Sequence, residues 1–302
     1  MSQRPFRLLA ALLLAGSLAI AGCGNDDDAA KPQAVDEPAS EPIPAEASAE
    51  RPQRIVSLSP MATEILFAIG AGEQVVAVDE FSYYPPEAPV TDLSGWAPNV
   101  EAVLSYEPDL VVIANDANDL MAGLDAVGVG VHLSAAPEDL GRGYISIIEL
   151  GMAVGRVEEA QSLVVDLQAE INAALDAAPD VPTRVYHELD NTYFSVSSNS
   201  FIGEVYAAMG AVNIADEADA DGFGYPQLTE EYIVEADPEL IVITDQVGYT
   251  PEDVAARPGW GEVSAVRNGN IVMVVADTAS RWGPRLPQFI GAVAEALQTV
   301  AD

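Results

Sequence analysis

The chain is short of three residue types, and each shortage removes a class of function. Cysteine occurs once, at Cys23, so no intramolecular disulfide can form and no cysteine-based metal site exists. Twelve basic residues face 48 acidic ones, a formal charge of −36, and lysine is nearly absent. Repulsion from phosphate excludes nucleic-acid binding. Such acidity suits both a high-salt habitat and the solubility of an exported protein. Histidine occurs twice. His132 and His187 each stand in a strand pattern, without the ligand company that zinc or iron needs. G-x-S-x-G, Walker and strand-linked G-x-G-x-x-G motifs are all missing, and Asp221-Gly-Phe-Gly matches a kinase triplet by letters only. The expectation is a protein that is not an enzyme and has no cofactor or metal site of its own.

What is present begins with a leader. Arg4 and Arg7 precede an apolar run from Leu8 to Ile20, which closes in Ile20-Ala21-Gly22-Cys23. A basic start, a short apolar stretch and a small-residue cleavage site make a secretory signal over residues 1–22. A Cys directly after Ala-Gly matches the bacterial lipobox. This implies lipidation of Cys23 and anchoring on the outer face of the bacterial cell membrane, or its periplasmic side. Residues 23–53 are rich in Asp, Ala, Glu, Pro and Ser and contain no aromatic. Such a segment buries too little to offset its ordering entropy, so a disordered acidic tether is expected.

Beyond the tether, 49% hydrophobic content in a chain of 302 residues allows two sizeable cores. Short apolar runs such as Ile55-Val-Ser-Leu58 and Leu110-Val-Val-Ile113 alternate with helical patterns. That alternation predicts parallel α/β sheets covered on both faces. One long amphipathic stretch, Val157 to Ala178, carries Leu163, Val164, Leu167, Ile171 and Leu175 at helical spacing. Pro179 and Pro182 end it. Similar sequence lies on either side. Asn99-Val-Glu-Ala-Val-Leu-Ser-Tyr-Glu-Pro-Asp-Leu-Val-Val-Ile113 aligns without a gap on Thr229-Glu-Glu-Tyr-Ile-Val-Glu-Ala-Asp-Pro-Glu-Leu-Ile-Val-Ile243. The expected organisation is an amino-terminal lobe over 54–156, a linking helix over 157–180 and a carboxy-terminal lobe over 181–302.

Aromatics make up only 7% of the chain, yet they gather in loops ahead of helices. Phe81, Tyr83, Tyr84 and Trp96 do so in the first lobe, and Tyr193, Phe194, Phe223, Tyr225 and Trp282 in the second. Ligands of open α/β sheets bind at the carboxyl ends of strands. Two facing lobes would thus place both sets in one cleft, suited to a large, flat, partly apolar ligand. Glu101 and Glu231 occupy the same frame in the two lobes, each two residues after a cap, Asn99 or Thr229. The helix dipole accounts for a carboxylate at either place. A matched pair also suits docking to a two-fold partner with basic sockets.

Several stretches together resemble the substrate-binding proteins of ABC importers for vitamin B12, ferric siderophores and haem, most nearly the B12-binding members. They are Arg54-Ile-Val-Ser-Leu-Ser-Pro-Met-Ala-Thr-Glu64, Tyr84-Pro-Pro86, Trp96 through Glu101, Glu107 through Ile113, Tyr225-Pro-Gln through Glu231, and Ser280-Arg-Trp-Gly-Pro-Arg285. The resemblance spans residues 54 to 300. It implies two Rossmann-like lobes, each with a mainly parallel sheet, joined by one long inter-lobe α-helix, with the ligand cleft between them. It also implies a monomer that delivers a small-molecule metal chelate, containing cobalt or iron, to a dimeric ABC permease whose arginines meet Glu101 and Glu231. Carried over residue by residue, the ligand cage comprises Phe81, Tyr84, Trp96, Phe194 and Tyr225, with Arg281 and Arg285 closing the side. Two departures keep the ligand open: Ala114-Asn115 stands where cobalamin binders can have an aromatic, and Tyr225 where they have Trp. The expected ligand is a cobalamin-like corrinoid. A ferric siderophore held by Arg281 and Arg285 is the alternative. Haem ligated by Tyr83, Tyr84, Tyr225 or His187 comes third. From other classes, an enzyme on a similar bilobed scaffold would need a buried titratable pair or metal cluster in the cleft, and a surface adhesion or sensor lipoprotein would bind no small ligand.

Overall fold

A computed structural model describes residues 51–302. The leader, Cys23 and most of the expected tether lie outside the described residues. The folded chain takes in residues 51–53, which the composition had assigned to the tether. The Gln53 amide donates to the Asp109 carboxylate at 2.7 Å, and Arg51 packs against Gly155.

The first sheet comes from β1 (Ile55–Leu58), α1 (Pro60–Ala68), β2 (Val75–Val78), α2 (Val100–Leu104), β3 (Leu110–Ile113), α3 (Leu120–Asp125) and β4 (Gly130–Leu133). Its four strands are parallel in the order β2-β1-β3-β4, with Ile55 paired to Leu110 and Leu110 to Gly130. β1 and β3 are buried along their whole length, as central strands of a doubly covered sheet must be. Ser59 starts α1 by accepting a bond from the Ala62 amide, with Pro60 in the first turn, where a missing N–H costs nothing.

The chain then runs through α4 (Leu140–Val154) and α5 (Val157–Asp176) into β5 (Arg184–His187), α6 (Phe201–Ala208), β6 (Val212–Asn213), α7 (Glu230–Ala236) and β7 (Leu240–Thr244). α8 (Pro251–Ala255), α9 (Ser264–Asn268), β8 (Ile271–Val274), α10 (Ala276–Ala279) and α11 (Leu286–Ala301) complete it. The second sheet is parallel in the order β6-β5-β7-β8, the same topology as the first.

α5 packs along α4 and α11. Ala160, Leu167 and Ile171 are buried in a core that runs from Ile55 and Leu66 in the first lobe to Val185, Val242 and Phe289 in the second. The junction is close-packed. A Cβ at Gly143 of α4 would overlap the Trp282 indole, and one at Gly151 the Ala160 methyl. Tyr144 meets Trp282 edge to face at 5.2 Å. Glu204 of α6 accepts a bond from the Leu140 amide at 3.0 Å, so a second-lobe carboxylate caps a first-lobe helix.

Candidate functional site

β1 and β3 diverge into different connections at their carboxyl ends, the position where open parallel sheets leave a crevice. A cavity of about 540 Å³ opens there. The first lobe contributes Leu58 and Pro60 at the end of β1, Asp79 after β2, Phe81, Tyr83, Gly95 and Trp96 from the following loop, and Ala114 and Asn115 after β3. The second lobe adds Gln246, Ser280 and Arg281. A smaller hollow of about 250 Å³ at the end of β4, lined in part by His132, Arg142 and Glu149, belongs to one lobe and lacks aromatics. The cavity that draws aromatic residues and side chains from both lobes is therefore the candidate site.

Its aromatic wall is largely uncovered. Trp96 is 79% exposed and Phe81 and Tyr83 are both 46% exposed, a large apolar area left open to water. Phe194 and Tyr225 stand on second-lobe loops outside this lining. Phe194 bridges to Gln227, and Tyr225 meets the exposed Phe223 edge to face at 5.8 Å. Two aromatics expected at the cleft are instead structural. Trp282 is buried against Gly143 and Tyr144, and Tyr193 stacks on the buried Trp260 at 6.1 Å. Loop aromatics satisfy the same composition whether they face a ligand or a core, so only the packing separates them.

The arginines are already paired. The Arg285 Nε donates to Glu64 Oε2 at 2.8 Å, a second bond joins the same two side chains, and its guanidinium lies 4.0 Å from the Tyr84 ring centre. Arg281 lies 2.9 Å from Asp277 and 3.5 Å from Glu64, donates to the Phe81 carbonyl at 3.3 Å, and lies over the Tyr83 ring. Glu64 is on α1, so this network ties the first lobe to the loop before α11. Arg281 lines the cavity, whereas Tyr84 and Arg285 do not. Burial and the Asp277 carboxylate push the Tyr83 phenol up, and burial does the same to Tyr225. His187 is away from the cavity, buried with its Nδ1 2.8 Å from the Tyr206 hydroxyl. Among the described residues, no cluster of three or more His, Cys, Asp or Glu side chains is placed to hold a metal ion.

Asp79, Gln246 and the acidic partners Glu64 and Asp277 escaped the sequence reading. Glu64 lay inside a recognised motif, but nothing in its spacing paired it with Arg285. The matched carboxylates are plain in the structure. The Asn99 side chain accepts from the Ala102 amide at 2.9 Å and that of Thr229 from the Tyr232 amide at 3.2 Å. Glu101 and Glu231 are each the second helical residue and exposed. Glu230 is occupied, accepting from the Trp260 indole at 3.0 Å.

Residues 55–278 match the periplasmic binding protein family. An uncharacterized ABC transporter substrate-binding lipoprotein of Bacillus subtilis is 32% identical, with 95% of each chain covered. A cobalamin-binding protein of Halobacterium salinarum is 31% identical over 81% of this chain and 69% of its own. Among solved structures, a periplasmic heme-binding protein of Roseiflexus superposes with a TM-score of 0.73 at 28% identity, over 83% of this chain and 99% of that one.

Proposed function

The chain belongs to the periplasmic binding protein family, as a substrate-binding component of ABC transporters, and from that premise we propose that it captures a cobalamin-like corrinoid for a dimeric permease. It performs no reaction itself. Lipid on Cys23 would hold it at the outer face of the membrane, and the acidic segment after it would let the lobes range above the surface. Phe81, Trp96 and Arg281, with Phe194 and Tyr225 from the facing loops, form the cage, Tyr84 and Arg285 brace it, and Glu101 and Glu231 dock on the permease.

The observation that carries the choice of ligand is the pairing of the two arginines. An anionic ferric chelate needs free cations, and Arg281 and Arg285 are engaged by Glu64 and Asp277. What the cavity offers freely is aromatic area, suited to a broad macrocycle. Haem iron needs a phenolate or imidazole. Arg281 covers the Tyr83 ring and Arg285 the Tyr84 ring, Tyr225 stands outside the cavity lining, and His187 lies in the core.

Calorimetric titration of the exported chain with cyanocobalamin, ferric hydroxamate, ferric catecholate and haemin tests this. One-to-one binding of cyanocobalamin above the others is expected, weakened about 10- to 100-fold by Trp96→Ala. Heat with an iron chelate and none with cyanocobalamin would overturn the corrinoid reading, and unchanged affinity would remove Trp96 from the cage.

A further inference from the structure

The cavity contains one carboxylate that makes no direct ion pair with either arginine. Asp79 follows β2, lines the cavity and is 2% exposed. Its Oδ1 accepts from the Phe81 amide at 2.9 Å. Among the described residues, no arginine, lysine or histidine lies within ion-pair distance of it, since Arg281 is committed to Asp277 and Glu64. Room for the other oxygen comes from Gly95, where a Cβ would sit 3.0 Å from Oδ2 and 2.7 Å from the Leu58 carbonyl oxygen. Gly95 lines the same cavity. Burial raises the Asp79 carboxyl above its usual range and outweighs the Phe81 and Ser82 hydrogen bonds and the more distant Arg281 charge, which lower it, as expected of a carboxylate held out of water without a direct ion-pair partner. The surroundings add no positive excess: Glu64, Asp277 and Asp79 stand against Arg281 and Arg285.

We propose that Asp79 is a specificity-determining residue of this cavity, accepting a hydrogen bond from an N–H donor of the ligand and opposing ligands that bring carboxylate or phenolate groups to the first-lobe floor. A buried carboxylate left without its donor costs more than the bond contributes, so such a group discriminates chiefly by rejection. Amide-bearing ligands satisfy it, while carboxylate-bearing ones place like charges together in a site of low dielectric. The inference rests on the cavity being the ligand site, but not on the ligand being a corrinoid.

The test is titration of wild type and Asp79→Asn with cyanocobalamin, whose periphery carries amides, and with haemin, which carries two carboxylates. Asparagine keeps the shape, removes the charge and supplies an N–H of its own. Expected are a tenfold or greater loss for cyanocobalamin and a severalfold gain for haemin, moving the selectivity ratio by about 30-fold or more. Asp79→Ser, which also removes the charge, should reproduce the gain for haemin should the asparagine variant fold poorly. Haemin affinity unchanged within twofold in whichever variant keeps the wild-type melting temperature would overturn the assignment. Failure of wild type to bind cyanocobalamin would count against the corrinoid instead and leave the haemin comparison readable.

Discussion

In the first lobe, Arg54 donates from Nε to the Glu107 carbonyl at 2.9 Å, and its amide donates to the Asp109 carboxylate at 3.0 Å. In the second, Arg184 donates to the Asp237 carbonyl at 2.8 Å and to the Glu239 carboxylate at 3.0 Å. Glu107 and Asp237 both take left-handed backbone angles, with φ of 50° and 46°, and both precede a proline. These devices sit where β1, β3, β5 and β7 begin. At the other ends of the same strands the lobes part company. In the ungapped frame that pairs Glu101 with Glu231, the apolar Leu58 corresponds to Glu188, and Ser57 to His187. Glu188 is completely buried, held by Arg257 through bonds of 2.6 and 2.7 Å and by the hydroxyls of Tyr186 and Tyr249. Arg257 in turn lies 4.6 Å from the centre of the Trp260 ring. The repeated edge carries structure common to both lobes; at the divergent edge the first lobe ends in the candidate cavity through Leu58, and the second in a buried ion pair.

The largest expected effect comes from breaking that contrast. Glu188→Ala strands a guanidinium in a mostly buried cage and should cost about 3–5 kcal/mol, read as a lower urea midpoint. Glu188→Leu with Arg257→Met gives the second lobe the apolar end that Leu58 gives the first, and should recover most of the loss, because well-packed apolar groups replace buried pairs at little cost. A single mutant within about 1 kcal/mol of wild type would show that the cluster is a dispensable elaboration.

His187 supplies a second, pH-dependent contrast. Burial lowers its pKa to about 4, and its Nε2 has no hydrogen-bond partner among the described residues. An unfolded chain titrates near 6.5, so between those values the unfolded state binds the extra proton. Stability is then full above about pH 6.5 and falls as the pH drops toward 4, by up to ~3 kcal/mol. His187→Asn keeps a partner for Tyr206 and should flatten this part of the profile. Melting curves across that range decide it, and an unchanged slope in the variant would place the titrating group elsewhere.

The repeat was legible because it rests on local chemistry: four-residue apolar strands, a capping Asn or Thr, and a carboxylate two positions later. The long helix was legible by its period. What escaped depended on distant partners. Arg281 and Arg285 meet Glu64 across 217 and 221 positions, and no spacing marks arginines as already neutralised. Trp282 needed the bare surface of Gly143 opposite it to become a core residue. Asp79 follows a strand as many loop aspartates do, and only its burial beside Gly95 sets it apart.

The smallest stability effect is also the sharpest comparison between the lobes. Glu101 and Glu231 are exposed, and helix-dipole stabilisation of an exposed first-turn carboxylate is worth about 0.3–1 kcal/mol. Replacing both with alanine should therefore shift the melting temperature by only a few degrees and leave ligand affinity unchanged. Glu230 is the internal control, one residue away on α7 but bonded to the buried Trp260. Its loss should cost stability and spare transport, whereas the matched pair should do the reverse. Uptake of labelled ligand by cells carrying each variant separates the two: normal uptake in the double mutant would reduce the repeated carboxylates to helix caps, and loss from either single replacement alone would show that both lobes must engage the permease together.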